Sequence, residues 1–458
     1  MRALIVAYYF PPKGGAGTQR FAKFCKFLPD HGVEPIVLTV DAALRTEHAP
    51  HDDASLAVDA RTEVHRVATP ATVPLGLRLR RRLRLHVDED EWVHAATPVA
   101  LRLARERACD VVVTTLSPYA CYRIGERLQR EAGLPWIVDL RDPWALDGWR
   151  VHPSALHARL DVARMRRTLA RADFVVANVP EARRAFLALG ARPGRCVVIP
   201  NGYDAEDFEL AQSARPAPRA SGGPLQLVHI GTFHPADTAA GPTRNTLRRV
   251  RTRQLVPLGR TGFYLLHAIA RWRDAVGAAA ARSRLAVQLF GQVDRTHREL
   301  IDELRLGELI TVHGYVPHRA SVAALLTAHA VFVPLHDVPS GERALVVPGK
   351  LYEALASERF VVGALPAGDG ADLVRRLAAG AIVGPTDVGG LAAVIGDLTE
   401  QYHRGALPHG AERSRLTPFS RVQLTARFAR LLTAAVERRA DVQLADPWSE
   451  LGPRPETA

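Results

Sequence analysis

Apolar residues in this chain come in short continuous runs, at 3–9, 35–40, 63–67, 111–115, 136–140, 174–179 and 196–200, most of them rich in Val and Ile. Such runs suit strands covered on both faces, as in a parallel sheet. Between them the apolar positions open out to helical spacing, which predicts helices at 18–31, 98–107, 120–132 and 155–171. Strand and helix therefore alternate, as in βαβ units. The alternation stops at 205–224, where Ala-Arg-Pro-Ala-Pro-Arg-Ala-Ser-Gly-Gly-Pro reads as a linker. It restarts with runs at 225–230, 285–290, 310–313, 330–335, 360–365 and 381–383. The predicted chain is α/β, with one Rossmann-like doubly wound domain over 1–205, a linker over 206–224 and a second such domain over 225–415. An amphipathic helix is expected within 416–440, ahead of a tail at 441–458. Open α/β sheets bind ligands beyond the carboxyl ends of their strands, so a cleft between the two domains is the expected site. The polar, basic stretch 236–257 is too long for an ordinary connection and is expected to be a mobile flap.

Composition narrows this picture. A length of 458 residues, 47% hydrophobic and 24% charged, is that of a globular chain of more than one domain. Cys25, Cys109, Cys121 and Cys196 show no paired or metal-ligand spacing and read as buried reduced thiols, which fits a cytoplasmic protein. The first apolar run ends at Pro11-Pro12, too early for a secretion signal, and no run approaches the length of a membrane span. Net charge is +12 and is concentrated in Arg78, Arg80, Arg81, Arg82 and Arg84, interleaved with leucines. That segment reads as a solvated helix face or as a patch for anionic lipid headgroups, which would make the protein peripheral on a membrane. Nucleic acid is not an expected partner, because no aromatic residues interleave with the arginines.

Three stretches could carry chemistry. After the first run, Gly14, Gly15 and Gly17 precede a helix, where backbone N–H groups can approach a phosphate or sugar. Gly15, Gly17 and Asp41 also resemble part of a dinucleotide fingerprint, although Arg20 stands at its third glycine; a bare tight turn is the remaining reading. Asp139, Arg141 and Asp142 gather charge at the end of another run. The two acids could position an acceptor hydroxyl or stabilise positive charge on a sugar ring, and Asp142 lies furthest out; a plain Arg–Asp brace is the alternative. In the second half, Gly231 and Thr232 end a strand, and Pro348, Gly349, Lys350 and Leu351 open a helix. Its first-turn N–H groups and dipole make an anion site, Lys350 adds a cation for a diphosphate, and Glu353 could grip a cis-diol such as ribose. A capped helix with a surface Lys–Glu pair is the alternative.

Taken together, the motifs resemble the retaining glycosyltransferases of family 4, which have the GT-B fold of two facing Rossmann-like domains. The resemblance rests on Tyr8-Tyr9-Phe10-Pro11-Pro12 with the glycines after it, Thr115-Leu116-Ser117-Pro118 and Asp139-Leu140-Arg141-Asp142-Pro143-Trp144. It continues through Ile199-Pro200-Asn201-Gly202-Tyr203-Asp204, Phe290-Gly291, His313-Gly314-Tyr315-Val316-Pro317 and Val347-Pro348-Gly349-Lys350-Leu351-Tyr352-Glu353. It implies that Gly15 and Gly17 lie against the donor diphosphate and acceptor, and that Gly231 and Thr232 face the phosphates with Arg260 and Lys350. Tyr315 and Val316 would hold the base through their backbone, Glu353 the ribose, and the helix within 416–440 would cross back to the first domain as a hinge. The donor would be a nucleotide-diphospho-sugar, by family habit a UDP-sugar. The acceptor would be a polysaccharide, a lipid-linked glycan or a small molecule. No metal or other cofactor is expected, since protein cations carry the leaving diphosphate. Two positions depart from the pattern: Leu345 stands where the family often has a second glutamate, and Arg141 where many members have histidine. Rival expectations are a nucleotide-sugar epimerase of the same fold, a non-catalytic partner subunit and, on Gly15, Gly17 and Asp41 alone, an NAD-dependent oxidoreductase.

Overall fold

Among the described residues thirteen strands form where the apolar runs predict them; the central ones, such as β1, β4 and β8, are short and buried along nearly their whole length, while edge strands such as β3 and β10 are partly exposed. The computed structural model describes residues 1–43, 52–53, 56–70, 72, 74–83, 89–213, 222–234 and 250–451. The chain divides into two compact units, the first holding Met1–Asn201, Phe419–Glu450 and residues near 250–253, the second most of the rest.

In the first unit the strands are β1 (Arg2–Val6), β2 (Glu34–Val40), β3 (Glu63–Val67), β4 (Val111–Leu116), β5 (Trp136–Leu140), β6 (Phe174–Ala177) and β7 (Cys196–Val198). All neighbours are parallel, in the order β3-β2-β1-β4-β5-β6-β7. The chain grows one way from β1 and then the other, so the carboxyl ends of β1 and β4 flank the topological switch point where such sheets bind ligands. The connecting helices are α1 (Ala16–Phe27), α2 (Leu75–Arg82), α3 (Asp90–Glu106), α4 (Tyr122–Ala132), α5 (Ala155–Arg171) and α6 (Pro180–Ala188). Helix α3 starts eight residues before its predicted start at Pro98. Proline is favoured in a first turn, but here it sits mid-helix, and Thr97 Oγ1 donates to the Val93 carbonyl at 2.6 Å beside it.

The second unit opens with α7 (Ala205–Ser213), which corrects the predicted linker at 206–224. Asp204 Oδ1 accepts from the Glu206 N–H at 3.2 Å at its start, and Phe208 and Ala211 are buried; the breaking residues come only later, at 214–221, outside the described residues. Six parallel strands follow: β8 (Leu225–Ile230), β9 (Leu285–Phe290), β10 (Ile310–Gly314), β11 (Ala330–Pro334), β12 (Phe360–Ala364) and β13 (Gly380–Val383). Their order, β10-β9-β8-β11-β12-β13, puts a second switch point between β8 and β11. Helices α8 (Phe263–Val276), α9 (Ala278–Arg284), α10 (Arg295–Glu303), α11 (His318–Thr327), α12 (Gly349–Ala356), α13 (Asp369–Arg376) and α14 (Val388–His403) connect them. Each unit is thus a doubly wound Rossmann-like sheet.

The last helix, α15 (Arg421–Val436), belongs to the first unit. Leu424, Phe428, Leu431 and Leu432 join the core formed by α1 and the sheet, and Phe428 stacks on Phe24 at 4.9 Å. All four cysteines are buried with free thiols. No helix among the described residues is long and apolar enough to cross a membrane. Of the predicted flap at 236–257, residues 236–249 lie outside the described residues; its end is anchored, Val250 pairing with His152 and Val256 with Asp337. Replacing Phe428 with alanine removes a fully buried ring and is expected to destabilise the first unit by about 3–5 kcal/mol, read as a lower urea midpoint with an unchanged slope.

Candidate functional site

At the carboxyl edge of the first sheet the chain leaves β1 through Tyr8 and Tyr9 and turns into α1 at Gly15, whose φ of 105° is open to glycine. Arg141, just beyond β5, lies across that helix start. A Cβ at Gly17 would fall 1.8 Å from Arg141 Nη1, so glycine is what lets the guanidinium approach the helix. Arg141 also sits over the Tyr9 ring at 5.5 Å and donates to Ser117 Oγ at 3.5 Å and to Asp142 Oδ2 at 3.3 Å. Residues from the ends of β1, β4 and β5 therefore meet at one place. A cation beside the positive end of a helix dipole is unfavourable by itself and becomes favourable when an anion lies between them. Asp142 is 42% exposed and reaches solvent, so it remains available for a ligand hydroxyl.

Asp139 does not. Expected to share in the chemistry, it is fully buried and bonded to Arg20 at 2.6 Å, with Thr115 Oγ1 donating to its other oxygen at 3.0 Å. Arg20 in turn donates to the Ile199 and Pro200 carbonyls, each at 2.8 Å. The position is structural because the side chain of a central strand residue points into the α1 layer. Trp144 completes the local frame: its ring is buried, stacks on Tyr119 at 5.7 Å and donates to Asp161 at 3.3 Å, fixing the loop that carries Arg141 and Asp142.

In the second unit, β8 ends at Gly231, with φ at 91°, and Thr232, which is exposed. Lys350 in the first turn of α12 comes over this turn: its Nζ would meet a Cβ on Gly231 at 3.4 Å and lies 3.2 Å from His229 Nε2. His229 donates from Nδ1 to the Phe332 carbonyl at 3.0 Å, which leaves Nε2 as an acceptor for the lysine. Burial, and then the Lys350 charge, push the His229 pKa well down, so the ring is neutral. Burial, and then Arg260, push the Lys350 ammonium down from 10.5 to about 7. Arg260 is half-buried at the end of a short helical turn, Pro257–Arg260. Pro348 is the N-cap of α12 and Gly349 its first residue, with no side chain capping that end.

Glu353, one turn along α12, is not the open carboxylate expected. His318 Nε2 lies 2.7 Å from its Oε1, and Asp207 Oδ2 on α7 lies 3.6 Å from His318 Nδ1. Glu353 and His318 are only 13% and 10% exposed. Tyr315, which is exposed, and Val316, half-buried, follow β10 and lead directly into His318, so they join Glu353 in one neighbourhood. Leu351, grouped with the donor site in the sequence, faces the core with no exposure, so only its backbone could touch a ligand. Leu345 presents a half-buried aliphatic side chain in the loop before α12. Arg20, Trp144, His229 and His318 were missed from sequence. Of these, His229 alone carried a signal, a histidine in a strand that is apolar except for it and Gln226.

Residues 14–202 match the family described as Glycosyl transferase 4-like domain, and residues 260–401 match Glycosyl transferases group 1. No curated protein matches the chain. Among solved structures, sucrose-phosphate synthase from Thermosynechococcus elongatus is similar with a TM-score of 0.63 at 16% identity, covering 94% of this chain and 98% of that one. Anabaena HepE in complex with UDP-glucose has a TM-score of 0.59 at 16% identity, over 95% of this chain and all (100%) of that one. An α,α-trehalose 6-phosphate synthase from Burkholderia multivorans has a TM-score of 0.56 at 15% identity, over 97% and 99%. The two sheets, their switch points and the two matched domains define a glycosyltransferase of the GT-B fold. The first unit carries the 4-like domain and the second the group 1 domain.

Replacing Asp139 with asparagine leaves Arg20 as a buried charge without its counter-ion and is expected to destabilise the first unit by about 3–5 kcal/mol. Urea unfolding of the variant checks this; wild-type stability combined with lost turnover would return Asp139 to the chemistry.

Proposed function

We propose that the protein moves a sugar from a nucleotide-diphospho-sugar, a UDP-sugar, to an acceptor hydroxyl with retention of the anomeric configuration. One observation carries the reading: a half-buried lysine at the start of α12, above the Gly231 turn, with an acid one helical turn along it. A diphosphate would lie on the first-turn N–H groups of α12 with Lys350 and Arg260 as its counter-charges. Glu353 would accept from the ribose hydroxyls, and the backbone of Tyr315 and Val316 would border the base. The similarity to HepE, whose structure holds UDP-glucose, supports this choice of donor.

In the step proposed, the bond from the anomeric carbon to the diphosphate oxygen breaks as the acceptor oxygen bonds to the same carbon from the departing side. The acceptor proton passes to the leaving diphosphate. Lys350, Arg260 and the helix N-terminus stabilise the charge that develops there, so no metal enters this reading. Asp142 would orient the acceptor hydroxyl, with Arg141 holding Asp142 in place. The acceptor is a glycan, lipid-linked or small-molecule hydroxyl. Leu345 favours a second reading, a subunit that binds the donor without transferring it, since an aliphatic side chain cannot bond the sugar hydroxyls; release of UDP in the presence of an acceptor panel decides between them.

The low Lys350 pKa gives a signed expectation. Above pH 7 the free folded chain carries this lysine neutral, whereas a bound diphosphate restores its charge. The complex then holds one more proton, so UDP affinity should fall as pH rises, by up to about tenfold per unit. Calorimetry in buffers of different ionisation heat should show proton uptake, and K350M should bind weakly with a flat pH response; equal pH responses of the two proteins would remove Lys350 from the site. Separately, Asp142→Asn should lower kcat roughly 10²-fold or more with UDP affinity unchanged; normal steady-state turnover would refute its role.

A further inference from the structure

Helix α2 inverts the usual arrangement of a surface helix. Leu75, Leu79 and Leu83 are 80%, 57% and 54% exposed, while Leu77 is the more covered one. Spaced four apart, the three fall within an arc of roughly 80° on one face. Arg78 and Arg82, both exposed, lie along the edge of that face. Of the basic segment singled out in the sequence, Arg84 lies outside the described residues.

Helix α5 extends the patch. His157 donates from Nε2 to the Leu83 carbonyl at 3.4 Å, while Ser154, the N-cap, sits 2.8 Å from its Nδ1. This contact brings the start of α5 against the end of α2. Leu156 and Leu160 on α5 are 63% and 36% exposed, and Val151 just before it is 44% exposed. Arg159, Arg166 and Arg167 are exposed along the same side of α5. Six of the ten exposed large apolar side chains among the described residues belong to these two segments.

Among the described residues, the nearby acids are committed to groups other than these arginines. Asp161 is buried beneath Trp144 and Arg150, Asp90 pairs with Arg123, and Glu91 pairs with Arg81. A contiguous leucine surface rimmed by arginines matches a bilayer that presents apolar tails beneath anionic headgroups. A second copy of the chain fits less well, because a two-fold contact would set these arginines against their own images.

The geometry points to the joined faces of α2 and α5 as a docking surface for an anionic lipid bilayer, with the leucines entering the headgroup boundary and the arginines meeting lipid phosphates. Vesicle flotation tests it. The whole protein should float with vesicles of phosphatidylcholine mixed with phosphatidylglycerol and not with phosphatidylcholine alone, and rising salt should weaken the binding. The triple variant Leu75→Ser, Leu79→Ser, Leu83→Ser should lose at least about tenfold in binding with its melting temperature unchanged. L156S combined with L160S should lose part of it, which keeps the test open if the triple variant fails to fold. Wild-type protein that ignores the mixed vesicles would overturn the proposal. So would serine variants that float as well as wild type, since attraction of the whole basic chain would then suffice. A dimer that the leucine changes convert to monomer would overturn it too, by assigning the surface to a second copy.

Discussion

The first unit is tied together by an ion pair that never meets water. Arg20 on α1 reaches Asp139 on β5, and the same guanidinium satisfies the last carbonyls after β7, while Thr115 on β4 closes the remaining carboxylate oxygen. Taking two charges out of water costs several kcal/mol per ion, and such a pair holds only when the other hydrogen-bonding positions are filled. Here they are filled by groups from three strand ends. The pair therefore costs little only when α1, β4, β5 and β7 are in register, which makes it a lock on the carboxyl edge where Gly15, Gly17, Arg141 and Asp142 collect.

Both units then set cations at the positive ends of helices. Arg141 lies against the start of α1, and Lys350 is itself in the first turn of α12, where Arg260 depresses it further. Each arrangement is unfavourable in the free protein. Neither would persist unless the frame around it were rigid, and the frames are the Arg20–Asp139 lock in one unit and the packed His229, Phe233 and Phe332 in the other. The proposed reading gives these locally unfavourable electrostatics a purpose, the reception of an anion, and such an inconsistency between local and global preference is of the kind that functional sites carry.

Fold class was legible because buried parallel strands write themselves as short apolar runs, most plainly in β1, β4 and β6. Helix ends were less legible: Pro98 looks like a first-turn proline, yet α3 runs back to Asp90. Composition also hid α7, since the breakers at 214–221 drew the linker back over a sequence, Glu206 to Ser213, that is itself a good helix former. Spacing alone places Pro348–Glu353 at a helix start and Arg141–Asp142 beyond a strand end, and the structure has them there. Asp139 could not be separated from Asp142, because three residues of sequence do not say which carboxylate turns inward. Partners distant along the chain, Arg20 for Asp139 and His318 for Glu353, carry no local pattern at all.

The Glu353 contact bears on how the second unit would bind a ribose. A lone glutamate on a helix surface samples several rotamers, and ordering it costs part of the hydrogen-bond energy it returns. Held by His318 at 2.7 Å, with Asp207 on the far side of the ring, the carboxylate has one oxygen committed and its orientation set before any ligand arrives. That arrangement exchanges one ligand hydrogen bond for preorganisation. It also links α7, α11 and α12, so the first helix after Asn201 contributes to the same neighbourhood as Tyr315 and Val316. The pairing of Glu353 thus asks a ribose to meet a carboxylate whose orientation His318 has already set, a narrower demand than the sequence alone imposed.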